Sequence, residues 1–199
     1  MDRQPVLEGE RLLLRPLKAD DWAALYGVAS DRELWAGHPS HDRWQEPVFR
    51  AFFDDALAKG GAFAIVDKST GKVIGSSRFQ FSDREAEEGA LEIGWSFLDR
   101  AYWGRGYNAE FKRLMLQHAF RFVDRVVFRV GADNLISRGA MKNIGGRLTG
   151  ETFVEERVGR PVEHVIYEID RAGFAAGPLA APAGELRPEG PQSHKSHTP

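Results

Sequence analysis

The sequence predicts a mixed α/β (α+β) domain, and three features of one block carry that prediction. Residues 91–98 alternate, with Leu91, Ile93, Trp95 and Phe97 set against Glu92, Gly94 and Ser96, which is the period-two pattern of a half-buried strand. Gly104-Arg105-Gly106 follows, and from Asn108 onward Phe111, Leu114, Met115, His118, Ala119 and Phe122 recur at spacings of three and four, the apolar face of a helix. Residues 125–130, Arg-Val-Val-Phe-Arg-Val, then read as a second strand, joined to the first by a crossover of about the length a parallel pair requires.

The other elements follow from local patterns. Residues 10–17 form a short apolar strand that Pro16 closes or confines to an edge. Asp20 and Asp21 place carboxylates at a helix start, and Trp22, Leu25, Tyr26 and Ala29 keep helical spacing. Residues 31–44 hold Trp35, Gly37, His38, Pro39, His41 and Trp44 with no clean period, and are expected to be a loop. Pro47 opens a second helix carrying Val48, Phe52, Phe53, Ala56 and Leu57, and Gly60-Gly61 ends it. Residues 62–66 and 73–81 flank a turn at 67–71 and make a hairpin-like pair of strands, followed by a strongly charged, exposed loop over 83–89. Beyond the crossover, Asp133-Asn134 precedes a short helix over 137–144, ended by Gly145-Gly146. Residues 147–156 and 162–169 form a last pair of strands. Residues 175–199, rich in alanine, glycine and proline, read as a flexible tail, leaving 1–174 as a single domain.

Composition narrows the function classes. A hydrophobic fraction of 42% over 199 residues supports one substantial core, and a formal net charge of −2 offers no basic field for nucleic acid. The absence of cysteine excludes disulfides, thiolate metal sites and a cysteine nucleophile. No apolar run approaches the length of a membrane span, and MDRQPVLEGE lacks the apolar region of a signal peptide, so a soluble cytoplasmic protein engaging no membrane is expected. His38, His41 and His118 lack paired metal-ligand spacing, and His194 with His197 stand without other ligands, so no metal is expected. There is no Gly-x-Ser-x-Gly elbow for hydrolase chemistry.

The glycine turn is the strongest functional lead. A helix start has unpaired N–H groups and a positive dipole end, so a phosphate or pyrophosphate is its natural occupant, with Arg105 and Arg100 adding charge. The P-loop pattern fails because no Lys-Ser or Lys-Thr follows, and the Rossmann fingerprint fails for want of a third glycine. Taken alone, the glycines fit an ordinary strand-to-helix turn. In context, Trp103-Gly104-Arg105-Gly106-Tyr107 after LEIGWSFLDRAYW resembles the acyl-CoA pyrophosphate loop of the GNAT superfamily of N-acetyltransferases, and most closely the ribosomal-protein N-terminal (alanine/serine) acetyltransferase branch, over residues 7–169.

That resemblance implies a mostly antiparallel central sheet with two splayed parallel strands, flanked by helices. It also implies transfer of an acetyl group from acetyl-CoA to a primary amine by direct attack. The acceptor is a protein N-terminus or a small-molecule amine, an acidic cleft favouring a polycation, and the oligomer considered is a homodimer. The resemblance assigns acetyl-CoA to Phe97, Leu98, Trp103, Gly104, Arg105, Gly106, Tyr107, Asn108 and Asn134, with no metal. Acetyl transfer needs a neutral amine, donors for the developing oxyanion and a proton for the departing thiolate. Glu92 is the residue the resemblance sets facing the amine; the structural alternative is an ion pair with Arg78 on the neighbouring strand. Backbone N–H groups near 95–98 are expected at the oxyanion, with Gly94 marking a bulge that aims them. Asn134-x-x-Ser137 is good helix-capping chemistry in its own right, while the resemblance sets Asn134 on the pantetheine and Ser137 at the thioester sulfur. Met141 occupies the place where many relatives carry a tyrosine general acid, and a thioether cannot donate a proton. This leaves Ser137 as the remaining donor and keeps open a second reading, a CoA-binding or interaction module of the same fold without catalysis.

Overall fold

The computed structural model describes residues 1–81 and 89–180, so most of the expected charged loop before Gly89, and the tail from 181 onward, lie outside the described residues. The strands are β1 (Leu7–Glu8), β2 (Leu12–Pro16), β3 (Ala62–Asp67), β4 (Val73–Phe81), β5 (Leu91–Leu98), β6 (Arg125–Gly131), β7 (Arg147–Arg157) and β8 (Arg160–Asp170). The helices are α1 (Trp22–Ala29), α2 (Glu46–Lys59), α3 (Tyr107–Ala119), α4 (Leu135–Asn143) and α5 (Arg171–Ala176). The described residues form one eight-stranded sheet in the order β1-β2-β3-β4-β5-β6-β8-β7. Every neighbouring pair is antiparallel except β5 with β6, as the crossover predicts.

Local chemistry sets the element ends. Asp21 accepts from the Lys18 N–H at 2.8 Å and from both terminal nitrogens of Arg15, at 2.8 and 2.6 Å, which fixes the turn into α1. Pro47 lies in the first turn of α2, and Gly60 at φ 68° ends it. Asp67 gathers the Ser69 N–H, the Ser69 and Thr70 hydroxyls and the Tyr102 hydroxyl, closing the β3–β4 turn and tying it to the segment after β5. Residues 31–44 are not wholly irregular as expected: Arg32–Trp35 form a 3₁₀ turn that buries Trp35, whose indole N–H donates to the Ala29 carbonyl at 2.8 Å. The packed chain also runs past residue 174, because α5 continues to Ala176 and Leu179 is buried in the core.

Helices cover both faces of the sheet. The larger core packs β2–β6 and β8 against α3, α4 and α5 through Phe63, Ile93, Phe111, Met115, Phe128 and Tyr167. The smaller is aromatic, joining Trp35, Phe49, Phe53 and Phe97 beneath α1 and α2. Each such side chain contributes about 1.5–3 kcal/mol by burial.

Two irregularities shape the middle of the sheet. The β5–β6 ladder holds only Leu91↔Val126 and Glu92↔Val127, so from Ile93 onward the two strands diverge and the edge of β5 that faces β6 carries no ladder bond. On the other edge, Ser76 pairs with Phe97 and Arg78 with Gly94, which leaves Ser77 opposite two residues, Trp95 and Ser96. The bulge expected at Gly94 therefore sits one residue later, and Trp95 takes φ 54°. The extra residue breaks the alternation: Leu91, Ile93 and Leu98 belong to the larger core, whereas Phe97 turns to the other face. Ser96 consequently shares the α3 face with Leu98, instead of lying beside Glu92 as a regular strand would have it.

Candidate active site

The glycine turn is built as the sequence implies. Gly104 and Gly106 take φ 70° and 82°, and Gly106 is the N-cap of α3. The first intrahelical bond of α3 runs from the Glu110 N–H to the Gly106 carbonyl at 3.0 Å, so the N–H groups of Tyr107, Asn108 and Ala109 have no acceptor within the helix. Two residues that sequence reasoning missed hold this turn. Arg11 on the β1–β2 turn donates to the Arg105 carbonyl at 2.9 Å and to Glu110 Oε2 at 2.8 Å, and its guanidinium lies 4.3 Å from the centre of the Tyr107 ring. Glu110 Oε1 accepts from the Arg11 and Leu12 N–H groups at 2.8 and 3.1 Å, fastening α3 to β2. Partners 99 positions apart leave no local signal.

Two cavities meet where β5 and β6 diverge. One, of about 570 Å³, is lined by Phe97, Leu98, Trp103, Gly104, Gly106, Asn108 and Asn134, so most of the sequence-predicted acetyl-CoA residues come together there. Arg105 and Tyr107 do not line it: Arg105 is exposed, and Tyr107 packs edge-on against Tyr102 at 4.9 Å. Leu135 and Ile136, 75% and 59% exposed, form an apolar lip at its margin. The other cavity, of about 330 Å³, is polar and reaches Arg43, Glu92, Lys112, Arg129, Met141 and Arg157. Ser96, His38, Asn108, Asn134, Ser137 and Ala140 line both.

Among the sequence candidates, Asn134 Oδ1 accepts the Ser137 N–H at 3.1 Å and so caps α4, while both residues line the junction. Met141 is buried beside them. Glu92 is 4% exposed and ion-pairs with Arg129 of β6. The ion pair with an arginine that stood as the structural alternative is made, but with Arg129 and not Arg78, which binds Asp55 of α2 at 2.9 Å and lies 3.7 Å from the Trp95 ring centre. A parallel neighbour two ladder steps away thus outcompetes the antiparallel one.

Lys112 is the main residue the sequence reading passed over. It is 2% exposed, and its ammonium donates to Ser96 Oγ at 2.7 Å, beside the rings of Phe111 and Phe128. Burial alone pushes it down to about 7 from the usual lysine value. Its signal was positional: 112 falls three before Met115 and seven before Ala119, on the apolar stripe of α3. His38 accepts the Ser40 N–H on Nδ1 at 2.9 Å, and burial, followed by the charges of Arg43 and Arg157, holds it well below its ordinary value. Arg43 stacks 4.5 Å from the Phe52 ring centre, has no carboxylate within ion-pair distance among the described residues, and is lowered to about 10, by burial first and then by Arg157. Among the described residues no group of three or more His, Asp or Glu side chains could hold a metal ion, and no helix is long and apolar enough to cross a membrane.

Comparison with known proteins agrees with this arrangement. The chain is 30% identical to a Bacillus licheniformis protein named uncharacterized N-acetyltransferase p20, over 83% of this chain and 96% of that one. Its fold matches a GNAT-family acetyltransferase from Bacillus anthracis with a TM-score of 0.68 at 23% identity, covering 83% of this chain and 98% of the other. It also matches Mycobacterium smegmatis RimJ in complex with CoA-disulfide, TM-score 0.65 at 19% identity, over 84% and 88% of the two chains. Residues 11–147, which include the glycine turn, the splayed strands and α4, match the acetyltransferase (GNAT) domain, and the chain belongs to the GNAT acetyltransferase family.

Proposed function

We propose that the protein transfers the acetyl group of acetyl-CoA to a primary amine by direct attack. The observation that carries this reading is the pair of cavities joined at the β5–β6 splay, one ending at the glycine turn and the other polar and closed by charged side chains. The first fits acetyl-CoA. Its helix-start N–H groups suit a pyrophosphate, an added Cβ on Gly104 would meet nothing within 4 Å, and the apolar lip of Leu135 and Ile136 suits the chain of a long ligand. In this reading Gly104, Gly106 and Asn108 hold the phosphates, Phe97, Leu98 and Asn134 hold the thioester arm, and Ser137 stands beside the sulfur. When bound, the cosubstrate supplies the activated acetyl group. The N–H groups on the open edge of β5 stabilise negative charge on the carbonyl oxygen as the amine adds. Glu92, fixed by Arg129, faces the acceptor amine.

Among the described residues the acceptor side is not acidic. Glu92 with Arg129 and Glu155 with Arg157 offset each other, and Arg43 adds a positive charge with no carboxylate at ion-pair distance among those residues. A polyamine would meet repulsion there. A protein N-terminus followed by acidic or neutral residues, in keeping with the ribosomal-protein branch resemblance, or a small amine that bears a carboxylate, would not. Thiol release from acetyl-CoA measured over a panel of acceptors tests this. The expected result is turnover with kcat/KM about tenfold or more higher for an acidic N-terminal peptide than for spermidine, on the scale of 1.4 kcal/mol per tenfold. Neither CoA binding nor thiol release with any amine would overturn the activity, and preference for the polyamine would overturn the acceptor class.

A further inference from the structure

We infer that the Ser96 hydroxyl, backed by Lys112, is the proton relay of the acetyl transfer, an assignment that rests on the activity proposed above. Ser96 lines both cavities at their junction, where amine and thioester would meet. Its Oγ receives the Lys112 ammonium at 2.7 Å and lies 2.8 Å from Ser77 Oγ, so it belongs to a fixed chain of hydrogen-bonding groups. Lys112 is fully buried, with no carboxylate at ion-pair distance among the described residues, an arrangement that costs stability. Among the described residues of the cleft, Glu92 of β5 pairs with Arg129 of β6, and Glu155 with Arg157 of β7. Arg43 adds a positive charge, and His38 and His164 of β8 are both pushed below their ordinary value, by burial first. Among the described residues no anion stands at ion-pair distance to hold the lysine's proton, in keeping with its fall to about 7.

The chemistry balances without a co-reactant. As the N–C bond forms, the amine nitrogen loses a proton to Ser96 Oγ, which passes its own proton to neutral Lys112. As the C–S bond breaks, the proton returns along the same path to the departing sulfur, leaving an amide, a thiol and a neutral lysine. An ammonium near 7 is a competent donor to a thiolate whose conjugate acid lies near 8.5. The relay supplies the acid that Met141 cannot. Ser96 is the group that touches the reacting atoms, and Lys112 acts through it.

The test compares Ser96→Ala, Lys112→Met and Lys112→Arg with the unaltered enzyme. Each variant is expected to lower kcat by about 100-fold, the lower range for a lost general acid–base group, with the KM for acetyl-CoA within about threefold. The wild-type kcat is expected to fall below about pH 7 as Lys112 takes up its proton, and this limb should vanish in Lys112→Met. A Lys112→Met or Ser96→Ala enzyme that keeps its turnover and its acid limb overturns the relay. Should the wild type acetylate no amine, the activity reading fails by itself. Lys112 is then judged by NMR titration of ε-13C-labelled lysine, assigned with Lys112→Met: a midpoint near 7 upholds the poised amine, and one above about 9 overturns it.

Discussion

The buried lysine is where stability and chemistry oppose each other. A lysine whose native value is lowered binds fewer protons folded than unfolded between about pH 7 and 10.5, so in that window its contribution to stability improves as pH rises. Below about pH 7 the penalty is complete, on the order of 5 kcal/mol for a shift of this size. Lys112→Met should therefore be more stable than the wild type at pH 6, with the difference shrinking steadily toward pH 10, as urea unfolding at several pH values would measure. A variant with unchanged or lower stability at pH 6 would mean that the native site solvates the ammonium. Residues of this kind were partly legible. Position 112 lies on the apolar stripe of the helix, and reading the stripe for its polar exceptions would have found it. Glu92 was picked out as a costly carboxylate that an arginine could hold, but chain order pointed to the hairpin neighbour Arg78 as the example and not to Arg129.

At the scale of elements, periodicity and punctuation located nearly every strand and helix, and the glycine turn most clearly. Gly106 has two reasons to be glycine, a φ of 82° and the Arg11 guanidinium, which would lie 3.3 Å from an added Cβ; Gly104 shares the first reason only. Gly106→Ala should cost about 1–2 kcal/mol from the left-handed backbone alone. It should also loosen the Arg11 clamp, lowering Tm more than Gly104→Ala does and weakening CoA binding by calorimetry. Equal effects of the two substitutions would remove the clamp from the account. The bulge was harder to read. Glycine at 94 invited it, yet Trp95 adopts the unusual conformation and is held there by the face of its ring against Arg78, whose charge is met by Asp55. Nothing local to residues 91–98 encodes that cross-sheet support.

For the whole molecule, the sequence conveyed the layered fold and the order of its parts, because alternation and helical spacing are local. It did not convey long-range ties such as Arg11 with Glu110, which fastens β2 to α3, nor the shorter tie of Arg15 with Asp21, which fixes the turn into α1. Burial pushes both carboxyls up, but hydrogen bonds, to Arg15 and Lys18 for Asp21 and to Arg11 and Leu12 for Glu110, outweigh it and hold both below their ordinary values. The unfolded chain therefore protonates them first on acidification, and the stability they contribute is present above about pH 4 and lost as pH falls further. Glu110→Gln should flatten the loss of stability between pH 5 and pH 3 in urea titrations; an unchanged acid limb would show that other groups govern it.

The extra residue at Trp95 has a consequence for reading other genomes. Removing one residue there would restore strict alternation in β5 and leave Ser96 and Leu98 on the α3 face, with Phe97 still opposite, because the ladder to β4 sets the faces beyond the bulge. In a related chain, a one-residue gap in this strand would then be compatible with the same proton path, provided the serine is matched by counting back from the glycine turn and not forward from Glu92. Strand length thereby decides how the serine is to be aligned, which residue identity alone does not supply.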